Sequence, residues 1–294
     1  MSKSKRLRFI YNPHAGRRKA VAALDHIIQI FQEGGYEVSI HRAGSPADIE
    51  HTAAGSSDVQ VLVVAGGDGS AHHAVNGLMK IKESERPVLG ILPVGTSNDL
   101  AFALRLPRSI AAACSVINQG RIFAMDLGVV NDRYFVNVAA AGFLTDISQK
   151  VDVRVKNVLG QLAYYLKGLE SLPSFRPFRL QYDLEGKHYQ EEVMLFLAVN
   201  GLSVGGLRQL MPRASLSDGK LDILLVRQSG WPEVVRILFS LLRGEKTASG
   251  KIEQFQTEEI MVYTDRSLTS DLDGEWGPEN PWHIKIGPKI SVFH

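Results

Sequence analysis

A run of apolar residues that ends in a glycine-rich string constrains this chain more than any other feature. Residues 59–65 (VQVLVVA) are dominated by β-branched apolar side chains, the pattern of a strand buried on both faces of a parallel sheet. The string GGDGS follows at residues 66–70, and we expect a helix to begin near Ala71. Residues 88–92 repeat the apolar pattern. These strands predict an α/β fold with a parallel sheet.

The pattern of elements changes near Asp126. Before it, predicted strands at residues 7–11, 36–40, 59–65 and 88–92 alternate with helices, the first of which covers residues 20–31. A further helix is expected after Ser45, because serine is a good N-cap and Pro46 suits the first helical position. The sequence predicts an α/β domain over residues 1–125.

Residues 126–283 are expected to form a second, mainly antiparallel β domain. Short strand patterns recur there, and the turns at 131–133 and 185–187 are typical of hairpins. Two helical stretches are predicted within it, at residues 155–169 and 231–242. The final strand, at about residues 284–294, is expected to return to the first domain.

Composition excludes several classes of protein. The chain carries 33 Lys plus Arg against 31 Asp plus Glu, a net charge of +2, so no electrostatic argument favours nucleic acid as a partner. The longest apolar runs are far shorter than the ~20 residues that span a bilayer, which indicates a soluble or peripheral protein. The single cysteine, Cys114, excludes an internal disulfide and fits a reducing compartment, so we expect a cytoplasmic protein.

Three polar loops follow strands of the predicted parallel sheet. They are residues 12–16 (NPHAG), 66–70 (GGDGS) and 93–99 (PVGTSND). Loops beyond the carboxyl ends of parallel strands share one crevice, which is where ligands bind in such sheets. Glycines allow backbone N–H groups to approach an anion, and a carboxylate such as Asp68 suits Mg²⁺ or the far side of a nucleotide. Each loop taken alone could also be ordinary turn or helix-cap chemistry.

Together these three loops resemble the motifs of the diacylglycerol kinase catalytic-domain family, and in particular those of bacterial soluble lipid kinases. The resemblance extends over nearly the whole chain, because SDGKLD at residues 217–222 and DLDGE at residues 271–275 match later motifs of the family. It implies the fold of diacylglycerol kinases and NAD kinases, an α/β domain followed by a β-rich one.

The resemblance also implies site residues. Asp68 would position the nucleotide and its Mg²⁺, and Glu275 would be the general base that takes the proton of the lipid hydroxyl. The ATP site would be formed by Asn12, Pro13, His14, Ala15, Gly16, Gly66, Gly67, Asp68, Gly69, Ser70, Thr96, Asn98 and Asp99. A structural Mg²⁺ would be bound by the Asp218 carboxylate and by the backbone oxygens of Ser215 and Lys220.

The implied function is an ATP- and Mg²⁺-dependent lipid kinase that phosphorylates a free hydroxyl of diacylglycerol or a related lipid. Such an enzyme would meet its lipid through transient, peripheral contact with a membrane surface. The sequence does not decide between a monomer and a homodimer.

Two alternatives remain. A NAD kinase shares the GGDG string and the two-domain plan. However, PVGTSND at residues 93–99 and DGE at residues 273–275 favour a lipid kinase. A catalytically impaired regulator that binds nucleotide or lipid is suggested by His72-His73, where many relatives have Asn and Glu. We expect these two histidines to be polar residues in the first turn of the helix that follows the glycine string. Ala43 is a further departure, because many relatives have threonine there. The retention of Asp68 and Glu275 argues against the regulator.

Overall fold

The chain folds into two units. The computed structural model describes residues 5–142, 176–184, 186–203, 211, 214–230, 233, 236–237, 240 and 250–294. The first unit is Met1–Met125 with Lys289–His294, and the second is Asp126–Pro288. The expected helix at residues 155–169 lies outside the described residues, and the one expected at 231–242 lies mostly outside them.

The first unit is built on a mostly parallel sheet, as the apolar runs predicted. Its strands are β1 (Lys5–Tyr11), β2 (Tyr36–Arg42), β3 (Val61–Gly66), β4 (Val88–Pro93), β5 (Ile122–Met125) and, from the end of the chain, β17 (Ile290–Phe293). The order is β2-β1-β3-β4-β17-β5, and all neighbours are parallel except β5 and β17. Every residue of β3 is buried, which explains its nearly continuous apolar sequence.

Helices connect the parallel strands of the first unit. They are α1 (Lys19–Ala22), α2 (Leu24–Glu33), α3 (Pro46–Ala54), α4 (Asp68–Leu78), α5 (Asp99–Ala103) and α6 (Ile110–Gln119), with short 3-10 helices at Ala15–Arg18 and Glu83–Glu85. The predicted cap of α3 is confirmed, because the Ser45 hydroxyl accepts a hydrogen bond from the Asp48 N–H at 3.1 Å. The helix predicted over residues 20–31 is interrupted at Ala23, and α4 begins at Asp68, three residues earlier than expected.

The core of the first unit includes the buried faces of α2, α6 and the sheet. Phe9, Ile27, Phe31 and Cys114 are all inaccessible to solvent. Helices α3 and α4 approach closely, because a Cβ on Gly77 would lie 2.3 Å from the Glu50 carbonyl oxygen. This contact fixes the helix that follows the glycine string against its neighbour.

The second unit contains an antiparallel sheet, which confirms the predicted fold class. Its strands are β6 (Gly128–Val130), β7 (Arg133–Phe135), β8 (Val138–Gly142), β9 (Phe178–Leu184), β10 (Lys187–Val199), β11 (Leu221–Arg227), β12 (Ile252–Thr257), β13 (Glu259–Thr264), β14 (Thr269–Leu272), β15 (Glu275–Glu279) and β16 (Trp282–Ile286). The main path is β15-β14-β8-β10-β9-β13-β16-β6-β7, and β11 pairs with β10 and with β12. One face packs a core around Phe196, Tyr182 and Trp282.

The chain returns to the first sheet later than the sequence indicated. Residues of β16 pair within the second sheet, where Ile284 lies opposite Ile260 of β13 and Val130 of β6. Of the C-terminal residues, only Lys289–His294 belong to the first unit. The return therefore begins at residue 289 and not at about residue 284. The alternation of apolar residues in β16 and β17 is similar, so periodicity alone could not separate the two strands.

Candidate active site

Three loops of the first unit lie side by side at the carboxyl ends of β1, β3 and β4. These strands are consecutive in the sheet, so the loops that leave them are neighbours. The Asn12 N–H donates to the Ala65 carbonyl at 3.0 Å, and the Val94 and Gly95 N–H groups donate to the Gly66 carbonyl at 3.1 and 3.2 Å. The structure therefore brings together the three loops that sequence reasoning assigned to one crevice.

Close backbone contact between the loops requires glycine. A Cβ on Gly95 would lie 2.4 Å from the Gly67 Cα, and a Cβ on Gly16 would lie 1.5 Å from the Val94 carbonyl oxygen. Gly16 also has a φ of +53°, which favours glycine on its own. These glycines thus set the shape of the crevice by allowing one main chain to touch another.

Helix α4 presents its N-terminus at this edge. Gly67 is its N-cap, and Asp68 is its first residue. The Asp68 carboxylate accepts a hydrogen bond from the Leu100 N–H at 3.2 Å, so it joins the start of α4 to the first turn of α5. The N-terminus of an eleven-residue helix favours negatively charged groups, and phosphate is a common ligand of such termini.

The loop that contains Thr96 and Asn98 is closed by the Asn98 side chain. The Asn98 side chain accepts a hydrogen bond from the Gly95 N–H at 2.9 Å and donates to the Gly95 carbonyl at 2.8 Å. Asn98 has a φ of +53°, which asparagine tolerates better than most residues. Thr96 is exposed, whereas Asp99 is buried.

The first loop is ordered in a similar way. The Asn12 side-chain oxygen accepts a hydrogen bond from the His14 N–H at 2.9 Å, and the Ala15 N–H donates to the Asn12 carbonyl at 3.2 Å. Pro13 is buried, whereas the His14 side chain is exposed.

The two histidines after the glycine string do not behave as first-turn polar residues. Because α4 begins at Asp68, His72 and His73 lie in its second turn, and His72 is 1% exposed. The His72 Nε2 lies 3.3 Å from the Asn76 amide nitrogen, and the His73 Nδ1 lies 3.5 Å from a Glu50 carboxylate oxygen on α3. His72 is thus buried against Asn76 of its own helix, whereas His73 contacts α3.

The loop expected to bind Mg²⁺ lies in the second unit, just before β11. Asp218 is exposed, and its Oδ1 accepts a hydrogen bond from the Lys220 N–H at 3.1 Å. The Gly219 N–H donates to the carboxylate of the buried Asp126 at 2.8 Å. Burial raises the pKa of the nearby Asp222 carboxyl, and the negative charge of Asp218 adds to that rise.

The donor set of this loop has the right chemistry for Mg²⁺. One carboxylate and two backbone oxygens, from Asp218, Ser215 and Lys220, are hard ligands, and Mg²⁺ commonly takes only one or two carboxylates and completes its shell with water. Among the residues that the structure describes, no group of three or more His, Cys, Asp or Glu could hold a metal. Of the three expected donors, only Asp218 would contribute a charged group.

The hairpin between β14 and β15 contains the expected base. Asp273 accepts three backbone hydrogen bonds, from the N–H groups of Val136, Asn137 and Val138, at 2.7, 2.8 and 3.0 Å. Asp273 and Gly274 both have positive φ, and the Gly274 N–H donates to Asp271 at 2.7 Å. Glu275 is half-buried and begins β15.

Sequence reasoning missed Asp126 and Asn200. Asn200 is 1% exposed, and its side chain donates to the carbonyl oxygens of Asp126 and Val136 at 2.8 and 3.0 Å. The only signal in the sequence was a polar residue at the end of the apolar run 193–199. That signal fits a strand end as well as a functional position.

Comparisons with known proteins agree over the whole chain. Residues 6–130 match the family model "Diacylglycerol kinase catalytic domain", and residues 137–293 match the "YegS C-terminal NAD kinase beta sandwich-like domain". A Bacillus subtilis (strain 168) protein named diacylglycerol kinase is 40% identical over 277 residues, which are 93% of this chain and 90% of that protein. A diacylglycerol kinase from Staphylococcus saprophyticus is 34% identical over 292 residues, which cover 98% and 95% of the two chains.

Solved structures show the same fold. One from Bacillus anthracis str. Sterne superposes with a TM-score of 0.86 at 24% identity and covers 100% of this chain and 96% of its own. A second, the crystal structure of a diacylglycerol kinase from the same strain, has a TM-score of 0.79 at 24% identity and covers 100% of this chain and 98% of its own. In the described part of this chain, no helix has the length and apolar character that crossing a membrane requires.

Proposed function

The chain belongs to the diacylglycerol kinase catalytic-domain family, and from this premise we propose that it transfers the γ-phosphoryl group of ATP to a free hydroxyl of diacylglycerol or a related lipid. Membership of the family supports a lipid kinase. The use of ATP and Mg²⁺ and the identity of the lipid are what we propose in addition. The main structural support for the proposal is that the three loops converge and that the Gly67 and Gly95 backbones are in contact at the N-terminus of α4.

The loops of the first unit would bind the phosphates of ATP. Phosphoryl transfer needs mainly positioning and neutralisation of charge, and backbone N–H groups at a helix N-terminus supply both. In this proposal residues 12–16, 66–70 and Thr96 line the nucleotide site, Asn98 and Asp99 shape it, and Asp68 orients the nucleotide and its metal. Asp68 is already fixed by its hydrogen bond from the Leu100 N–H.

Glu275 would act as the general base. The lipid hydroxyl oxygen forms a bond to the γ-phosphorus, the bond from that phosphorus to the β–γ bridging oxygen breaks, and ADP leaves. The hydroxyl proton passes to the Glu275 carboxylate. Asp273 is a weaker candidate, because its two carboxylate oxygens already accept three backbone N–H groups and so hold the turn.

Mg²⁺ would neutralise charge on the transferred phosphoryl group when bound with ATP. A second, structural ion would be bound by Asp218 with the backbone oxygens of Ser215 and Lys220. In this proposal the ion holds the loop before β11, and the carboxylate of Asp126 supports the same loop through the Gly219 N–H.

The enzyme would be cytoplasmic and would meet its lipid by peripheral contact with a membrane, as a monomer or a homodimer. Trp276 supports this contact, because it directly follows Glu275 and its side chain is 63% exposed. Tryptophan is favoured at the boundary between lipid and water, where its ring is partly apolar and partly polar.

The test is phosphorylation of a panel of acceptors by the full chain with γ-labelled ATP. Diacylglycerol, monoacylglycerol and ceramide in mixed vesicles are compared with NAD, and Asp68→Asn serves as the inactive control. We expect a labelled lipid from the wild type and none from the control.

The panel also separates the alternatives. The second family model is named for its likeness to the β-sandwich of NAD kinases, so a NAD kinase-like enzyme is the second candidate. Labelled NADP without labelled lipid would establish it in place of our proposal. Tight ATP binding without any labelled product would indicate a regulator instead. The packing of His72 and His73 inside the helix layer gives that reading no structural support.

A further inference from the structure

One buried amide bridges two separate segments of the second unit. Asn200 lies just after β10 and is 1% exposed. Its side-chain nitrogen donates to the Asp126 carbonyl at 2.8 Å and to the Val136 carbonyl at 3.0 Å. Its backbone N–H donates to the Asn137 carbonyl at 2.8 Å. Both side-chain donors are used, so the amide holds the segment before β6 against the segment before β8.

The orientation of this amide follows from its neighbours. A flipped amide would place the side-chain oxygen against two carbonyl oxygens, which is unfavourable in a buried site. In the observed orientation the Asn200 Oδ1 is buried and has no hydrogen-bond partner among the residues that the structure describes. The Asn200 Oδ1 therefore remains unpaired while both N–H donors of the amide are used. This indicates that the two donated hydrogen bonds are the main contribution of this side chain.

Each carbonyl that Asn200 contacts belongs to a segment that supports part of the proposed active site. At one end, the Asp126 carboxylate accepts the Gly219 N–H at 2.8 Å, next to Asp218. At the other end, the Val136 N–H donates to Asp273 at 2.7 Å, two residues before Glu275. A continuous path of hydrogen bonds and main chain thus connects the Asp218 loop to the hairpin that contains Glu275.

We propose that Asn200 is a positioning residue for phosphoryl transfer: its amide couples the Asp218 loop to the Asp273–Glu275 hairpin and so fixes the direction of Glu275. This inference rests on the function proposed above. A base must lie within hydrogen-bond distance of the proton that it takes, and a displacement of about 1 Å can cost ~10²-fold in rate. Asn200 touches no reacting atom and acts only through the segments that it joins.

The test uses Asn200→Asp in the full chain. The carboxylate has nearly the same shape as the amide but places an oxygen against both carbonyl groups and donates to neither. We expect kcat for lipid phosphorylation to fall ~10- to 10²-fold, with the KM for ATP within about twofold of wild type because the phosphate-binding loops are not altered. The amides of residues 136–138 and of Gly219 should exchange hydrogen faster, which is a measurement that needs no activity.

Asn131→Asp is the matched control. The Asn131 side chain, in the turn between β6 and β7, also donates to a backbone carbonyl, that of Pro281 at 3.3 Å, and it accepts the His283 N–H at 2.9 Å. Neither bond involves the Asp218 loop or the Asp273–Glu275 hairpin, so the same change of amide to carboxylate should leave kcat within about twofold of wild type. If Asn200→Asp does not fold, Asn200→Ser, which keeps one donor, takes its place with a smaller expected loss of kcat.

Several results would overturn the proposal. Unchanged exchange at either segment would remove the coupling, and faster exchange with wild-type kcat would show that catalysis does not depend on it. An equal loss of kcat in Asn131→Asp would reduce Asn200 to a general contributor to stability. If the wild type phosphorylates no acceptor, the proposed function fails and the catalytic role of Asn200 fails with it. The exchange data would still decide whether the hydrogen-bonded link exists.

Discussion

A stability measurement on Asp273 separates positioning from proton transfer at the hairpin. One of its carboxylate oxygens accepts the N–H groups of Asn137 and Val138, and the other accepts the N–H of Val136. Asp273→Asn keeps the shape but replaces one acceptor by an NH₂ group. In its best orientation the amide oxygen retains two bonds, now to a neutral group, while its nitrogen faces the Val136 N–H, donor against donor.

The magnitude follows from these three bonds. A hydrogen bond to a charged group contributes about 1.5–3 kcal/mol and one between neutral groups about 0.5–1.5 kcal/mol. One bond is lost and two are weakened, which gives about 3.5–6 kcal/mol before screening by solvent. Asp273 is half-buried, so solvent screens part of the effect, and we expect the free energy of unfolding of the second unit to fall by about 3 kcal/mol.

Glu275→Gln should behave in the opposite way. The amide cannot accept the hydroxyl proton, so kcat should fall by ~10² to 10⁴, a typical contribution of general-base catalysis. Its free energy of unfolding should fall by about 1 kcal/mol or less, well below the loss expected for Asp273→Asn, because Glu275 is half-buried and the amide keeps the shape of the side chain. A large loss of stability in one variant and a large loss of activity in the other would assign the two carboxylates to different tasks.

The assay is urea unfolding followed by tryptophan fluorescence, with kcat measured in parallel. All three tryptophans, Trp231, Trp276 and Trp282, lie in the sequence of the second unit, so the signal reports that unit. An unchanged urea midpoint for Asp273→Asn would refute the three backbone hydrogen bonds. If Asp273→Asn is as stable as wild type and inactive while Glu275→Gln is active, the base is Asp273 and the assignment of Glu275 is wrong.

Four further predictions concern the loops and the core. Gly95→Ala should weaken ATP binding at least about tenfold, because its Cβ would lie 2.4 Å from the Gly67 Cα, whereas Gly55→Ala, with no atom closer than 3.8 Å, should bind ATP as wild type does in a calorimetric titration. Asp68→Asn should nearly abolish turnover without unfolding the protein, and normal turnover would exclude the proposed nucleotide site. Asp218→Ala should lower the melting temperature and reduce the additional stabilisation by Mg²⁺; equal Mg²⁺-dependent shifts in both proteins would contradict a metal at this loop. Burial raises the pKa of Cys114 to about 12, so about one thiol in 10⁴ is ionised at pH 8 and a thiol reagent should label the native chain only as fast as the first unit opens.

The first unit could be predicted from sequence because its main features are local. Apolar runs gave β3 and β4, and Ser45 with Pro46 gave the start of α3. The glycine loops were found for the same reason, since a strand, a glycine and a helix N-terminus are adjacent in the sequence. What remained hidden was that Gly67 and Gly95 touch, because that contact joins residues 28 positions apart.

Three errors have physical causes. The spacing of apolar residues continues through Ala23, yet the chain breaks there into α1 and α2, because periodicity does not report a local change of backbone angle. Strand β5 was not predicted, since three of its four residues are not buried and it alternates weakly at the edge of the sheet. His72 and His73 were expected to be polar first-turn residues, but the earlier start of α4 places them in its second turn, where His72 is buried and His73 lies 3.5 Å from a Glu50 carboxylate oxygen of α3.

The candidate site of the second unit is organised by contacts that no short motif could show. Both DG turns were as compatible with ordinary turns as with function, and the residues that distinguish them come from far away. The amides that bind Asp273 are 135 to 137 residues earlier, and the carboxylate that binds the Gly219 N–H is 93 residues earlier. Sequence reasoning could find the charged ends of this network but not Asn200, which joins them.

The two units therefore fix their candidate residues by different physical means, and mutations should reveal the difference. In the first unit the loops are placed by the absence of side chains, so an added methyl group acts through steric overlap and should be damaging even when it is apolar. In the second unit the hairpin and the Asp218 loop are placed by buried donors and acceptors, so substitutions of equal shape that lose a donor should be the damaging ones. A glycine scan of residues 66–95 and an isosteric Asn/Asp scan of residues 126–273 should thus have opposite sensitivities to size and to polarity. If both scans responded to volume alone, the hydrogen-bonded path through Asn200 would have no separate role.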